Sequence, residues 1–278
     1  VNFKEVKKEV ERLFGSWKKA TAPQLTYTAP KDVQYSQINF IDTPNAVQSE
    51  IALVNLSNLK MTDKEYLSVL LANQILGGGG EGRLFLNLRE KHGWTYGAYS
   101  SIGSGKYISK FRSSASVRNT VTDSAVVEFF NELKRIKTEL VSEEDLRNAK
   151  AKYVGNFVMQ IEKPSTIAGY ALNKETQGLP EDFYENYIKN INAVTAEDIK
   201  NAANKYFLSD KTRVVIVGKA GDVLPGLESM SKKEKLPIFY FDKYGNPTEK
   251  PEVKKPIPAG VTAQTVLNNY INVIGGEK

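Results

Sequence analysis

Apolar residues at Phe3, Val6, Val10, Leu13 and Phe14, set among lysines and glutamates, recur at helical spacing over residues 3–18, with Gly15 weakening the last turn. No strand precedes this helix, as expected for an element that belongs to something upstream. Residues 20–31, with Pro23 and Pro30, read as a linker. Two strands follow: residues 34–41 alternate through Ile38 and Phe40, and residues 50–56 are nearly continuous in apolar side chains, with Pro44 and Asn45 in the turn between them. Thr62-Asp63-Lys64-Glu65 has the sequence of a capping box ahead of an apolar stripe of Tyr66, Leu67, Leu70, Leu71 and Ile75. That helix must stop at the glycine run Gly77, Gly78, Gly79 and Gly80, and a short helical piece over residues 83–91 comes next.

Residues 94–117 carry no acidic group and alternate through Tyr107, Ser109, Phe111, Ser113, Ala115 and Val117, which predicts two antiparallel strands joined at Gly103-Ser104-Gly105. From Thr120 the period changes: Val126, Phe129, Phe130, Leu133, Ile136 and Leu140 mark one face of a long helix. Ser142 and Thr195 each precede an acidic first turn and start further helices, and Pro164 and Pro180 punctuate the segments between them. Val214-Val215-Ile216-Val217 is read as the final strand, closing at Gly218. Strands thus come in adjacent pairs and not in strict alternation with helices. The expected fold class is α+β, with a mostly antiparallel sheet and helices packed on one face.

Beyond Leu236, Pro237, Pro247, Pro251, Pro256 and Pro258 indicate an extended connector, and residues 261–274 become helical again through Val266, Tyr270, Ile271 and Ile274. Among 278 residues there is one histidine, His92, and no cysteine. A catalytic zinc ion takes three protein ligands and a structural one four, mostly His and Cys, so this chain assembles neither in any usual form. The net charge of +6 admits an anionic partner, but the lysines are spread, with the sharpest cluster at Lys232, Lys233 and Lys235. No base-stacking motif accompanies them, so no nucleic-acid partner is expected. No window approaches the length of a membrane span.

Gly77, Gly79 and Gly82 satisfy G-x-G-x-x-G, but that fingerprint needs a preceding strand and an acidic residue about twenty positions on. Here a helix precedes it, and no acid lies between Lys91 and Val121. What remains is a bend without side chains, either a helix end or a place where another backbone comes close. Arg89 and Tyr96 sit at the end of one helix and the start of one strand. An arginine fork and a phenol both donate hydrogen bonds to a peptide carbonyl or a developing oxyanion, while the alternative is an arginine serving the helix dipole and a packed strand tyrosine. His92 is placed in the turn after that helix, as a capping or solvent-exposed residue, and Glu143 and Glu144 read as solvated charges of a first turn.

The run LGGGGEGRLFLNLREKHGWTYGAYSS, residues 76–101, resembles the corresponding stretch of pitrilysin/insulinase-type zinc peptidases and mitochondrial processing peptidases. VKKEVERLFGSWKKA resembles the closing helix of that family's N-terminal domain, and VTAEDIKNAANKYF with RVVIVG resembles the end of its C-terminal domain, the one without zinc. The resemblance implies a metallohydrolase-like domain at residues 32–235, with residues 1–31 ending an upstream peptidase domain, residues 236–260 a Pro-rich connector and residues 261–278 the start of a further domain. It also implies a non-catalytic half that holds peptide substrate through Arg89 and Tyr96, spaced R-x6-Y, with the glycine run lining the same cleft. Zinc and the H-x-x-E-H motif, absent here, are then expected in a homologous partner half on the same or another chain. The alternative is an assembly module with no part in proteolysis. Resemblance to bacterial members with Pro-rich connectors fits a cell-envelope or periplasmic setting.

Overall fold

Alternation along a strand sorts its side chains onto two faces, and in most strands of this chain one of those faces is buried. The computed structural model describes residues 2–21, 23, 26–253 and 260–276, and the chain divides at Pro30 into two units. The first contains α1 (Phe3–Phe14), which Asn2 caps by accepting a hydrogen bond from the Lys4 amide and which buries no residue. The connector prolines Pro256 and Pro258 lie outside the described residues.

The second unit is built on six strands, β1 (Gln37–Asp42), β2 (Gln48–Ser57), β3 (Thr95–Ile102), β4 (Ser109–Arg118), β5 (Arg213–Gly218) and β6 (Ile238–Phe241), in the order β3-β4-β2-β5-β1-β6. The sheet is mixed. β2 pairs antiparallel with β4 and β5, and β3 with β4, but β1 lies parallel to both β5 and β6. Mostly antiparallel therefore holds for three of the five pairings. The exception arises because β1 is flanked by strands reached only after long excursions of the chain, which local patterning does not record.

Ile38, Phe40, Ile51, Leu53, Phe111, Ala115, Val214 and Ile216 fill the buried face of the sheet. Over it lie α2 (Tyr66–Gly77), α4 (Thr122–Thr138), α8 (Ala196–Tyr206) and α9 (Ala220–Glu234), contributing among others Leu71, Phe129, Ile199 and Leu227 to the same core. Phe111 of β4 stacks on Phe207 at 4.4 Å between ring centroids, and truncating a phenylalanine at such a site costs about 3–5 kcal/mol. The outer helical layer is α5 (Glu143–Ile161), α6 (Pro164–Gln177) and α7 (Tyr187–Ala193), and α10 (Ala263–Val273) lies near the C-terminus.

Local chemistry explains the ends. Ser142 accepts from the Asp145 amide, Thr195 and Asp198 form a reciprocal capping box, and Pro164 occupies the first turn of α6. Thr62 is different: residues 62–65 form a turn, and α2 begins at Tyr66 with no side-chain cap, because the Asp63 carboxylate accepts from the Lys60 amide and stabilises the turn. β5 is not the last strand. α9 follows it despite Pro225 within the helix, and β6 falls inside the stretch expected to be connector, pairing with β1 from Ile38↔Ile238 to Ile41↔Phe241.

Candidate functional site

The helix α2 runs directly into the glycine run because its last residue, Gly77, is pressed against β3. A Cβ there would stand 2.5 Å from the Ser100 amide nitrogen, and one on Gly82 would stand 2.8 Å from the Gly77 Cα. The backbone that comes close to this bend is thus the protein's own. Gly79 has φ +148°, a conformation that favours glycine, and Lys152 of α5 reaches across to donate to the Gly78 carbonyl at 3.1 Å. Gly80 is open, with only the Phe85 ring near.

After one turn, α3 (Arg83–Phe85), the chain widens into a π-helical turn over Leu86–Lys91. The His92 and Trp94 amides reach back to the Asn87 and Leu88 carbonyls. Such turns are uncommon and concentrate at functional sites. Arg89 lies in it, with its guanidinium over the Phe85 ring at 4.9 Å from the centroid and Nε 3.5 Å from the Glu90 carboxylate. The Phe85 ring in turn lies 6.0 Å from that of Tyr99 on β3. Arg89 thus rests on Phe85, whose ring leans on Tyr99, and about half of its side chain stays in solvent.

Tyr96 is 86% exposed. The pairing of β3 with β4 is irregular between Thr95 and Ala98, where the Thr95 hydroxyl both donates to the Gly97 carbonyl and accepts from the Gly97 amide. Gly97 has no side chain because the Tyr99 ring occupies that space, 2.6 Å from where a Cβ would sit. The bulge therefore turns Tyr96 outward at the end of the sheet, next in sequence to the Tyr99–Phe85–Arg89 platform. No hydrogen bond joins Arg89 to Tyr96 among the described residues. The site thus consists of a half-free guanidinium, a free phenol and a strand with one sheet neighbour, groups that can donate to a carbonyl or extend the sheet.

The sequence, read with its family resemblance, singled out Arg89, Tyr96 and the glycine run, and missed Phe85, Tyr99 and Thr95. Phe85 stands four residues before Arg89, a spacing that places two side chains on one helical face. His92 is half-buried, not solvent-exposed, with its ring stacked on Trp94 at 4.1 Å, while its backbone caps the π-turn as expected. Its Nε2 is buried with no hydrogen-bond partner among the described residues. Among the described residues no group of three or more His, Cys, Asp or Glu is placed to hold a metal ion, so the residues here do not fit zinc. No helix among the described residues is long and apolar enough to cross a membrane.

The sequence profile of the peptidase M16 inactive domain matches residues 1–153. The chain is 25% identical over 205 residues to the probable inactive metalloprotease YmfF of Bacillus subtilis, covering 74% of this chain and 47% of that protein. It is 33% identical over 162 residues to an uncharacterized zinc protease of Rickettsia felis, covering 55% and 37%. The chain therefore spans half or less of the length of these two relatives. In fold it is similar to the crystal structure of a peptidase M16 inactive domain from Pseudomonas fluorescens, with a TM-score of 0.70 at 24% identity, covering 79% of this chain and 52% of that one.

Proposed function

Because this chain belongs to the peptidase M16 inactive-domain family, we propose that it is the non-catalytic half of a two-half metallopeptidase, fixing an extended peptide for a zinc-bearing half. The observation that carries this is the bulge at Thr95, which leaves Tyr96 exposed on the terminal strand β3, the strand whose Tyr99 ring lies against the Phe85 ring that carries Arg89. In this arrangement the peptide backbone lies along β3, and the Arg89 guanidinium and Tyr96 phenol donate hydrogen bonds to the carbonyl under attack, strengthening as negative charge develops on its oxygen. Zinc and the general base belong to the other half. The glycine run contributes the open backbone at Gly80 to the same wall.

The test is to reconstitute the chain with its zinc-bearing half and assay Arg89→Ala and Tyr96→Phe. Removing one donor from an oxyanion site costs about 10²–10³ in kcat, and losses of that order are expected with unchanged circular dichroism. Turnover equal to the unaltered pair would remove both residues from the site.

A second function, an assembly module without proteolysis, is favoured by the Bacillus relative described as inactive. It predicts that complexes containing this chain hydrolyse no peptide, with or without these substitutions.

A further inference from the structure

Away from Arg89 and Tyr96, between α5, α6 and α7, lies a cavity of about 320 Å³ whose eleven lining residues include seven aromatic rings and no charged group. We propose that this cavity binds an aromatic side chain of a polypeptide. The inference goes beyond the function proposed above and does not require it.

The volume is at the lower end for ligand pockets, about 300–1,000 Å³, which suits one inserted side chain better than a larger cofactor. Four of the rings form a continuous stack, Tyr187–Phe157–Tyr170–Tyr184, with centroid separations of 4.6, 5.8 and 3.9 Å and interplanar angles of 8–19°. Their faces are therefore largely spent on one another, and what they offer a visitor is ring edges and hydroxyls. A sugar usually needs charged groups for its hydroxyls, and none lines the cavity. An aromatic side chain presents its electron-rich face to such edges, the edge-to-face arrangement that Phe183 and Tyr184 already adopt with each other at 82°.

The surroundings favour a polypeptide as carrier. Asn156 and Gln160, one helical turn apart on α5, line the cavity with amides suited to a peptide backbone. α6, which supplies Tyr170 and Asn173 to the lining, buries none of its residues, and it and α5 also expose Ile167, Leu172, Val158 and Met159, apolar surface on the two helices that carry the cavity. Burial pushes the phenol of Tyr153 up to about 12, so the lining stays uncharged at neutral pH. The cavity includes Tyr66 at the start of α2, whereas the glycine run begins at its end, about 16 Å away at 1.5 Å per residue. An extended chain covers that distance in about five residues.

The test uses the full chain and a dye-labelled, uncharged nonapeptide with one central Phe, read by fluorescence anisotropy against the same peptide with Ala. The Phe peptide is expected to bind about tenfold more tightly, the scale of one well-placed aromatic contact. N-acetylphenylalaninamide should displace it and methyl glucoside should not. Tyr170→Leu, on a helix that buries nothing, and Asn173→Asp, which introduces a charge, should each abolish the preference for Phe. Equal binding of the Phe and Ala peptides, displacement by the glucoside, or a preference that survives in folded variants would overturn the proposal. Should a variant unfold, the two displacement arms on the unaltered chain still decide. The assay reads binding without a zinc-bearing half, so its failure would leave the role of Arg89 and Tyr96 standing, and an inert Arg89 would leave this site standing.

Discussion

Gly77 and Gly80 stand three positions apart, and they tolerate a methyl group very differently. At Gly77 the added carbon would overlap the Ser100 backbone, which β3 holds in its ladder, whereas at Gly80 it would find only the Phe85 ring at 3.8 Å. Gly77→Ala is therefore expected to cost about 1–3 kcal/mol by overpacking, and Gly80→Ala to stay within about 0.5 kcal/mol, measured by denaturant unfolding. Sequence alone does not separate the two, because the collision depends on a strand more than twenty residues away. The same holds at the candidate site. Only the family resemblance, with its R-x6-Y spacing, singles out Arg89 and Tyr96, and the π-helical turn and the bulge around them have no signature in composition or period.

At the scale of elements, the strands β1 to β5 and the helices with a clear apolar stripe are legible, since their periods survive in the sequence. α9 is not, although Val223, Leu224, Leu227 and Met230 keep helical spacing, because Pro225 lies among them and removes one backbone donor. β6 is hidden for another reason: four residues flanked by Pro237 and Pro247 look like connector, and only pairing with β1 makes them a strand. Its contribution is measurable. Tyr240 meets Phe40 edge-on at 6.4 Å, and Ile238 packs against the core. Truncation after Lys235 should destabilise the domain by about 2–5 kcal/mol, the value of burying two large side chains, and a midpoint unchanged in urea would reduce β6 to an ornament on the sheet.

For the whole molecule, two half-buried tyrosines contribute to how stability responds to alkali. Burial raises the Tyr153 phenol from an ordinary 10.0 to about 12 and raises Tyr187 as well, because the phenolate would be poorly solvated there. Above pH 10 the unfolded chain releases these protons while the folded one keeps them. Stability from this source is thus complete below pH 10 and declines as pH rises toward 12. Tyr153→Phe should flatten that decline, as followed by thermal melts across the interval. The two borders of the sheet also differ. Beyond β6 the chain folds back, with Pro247 bridging to Phe241 and the Thr248 amide donating to the Tyr240 carbonyl at 3.0 Å, while β3 has β4 alone as its strand neighbour. Docking of copies through strand borders would therefore end with a pair: among the described residues one margin, β3, is left without a second strand neighbour or a chain folded back over it, and joining two such margins consumes both.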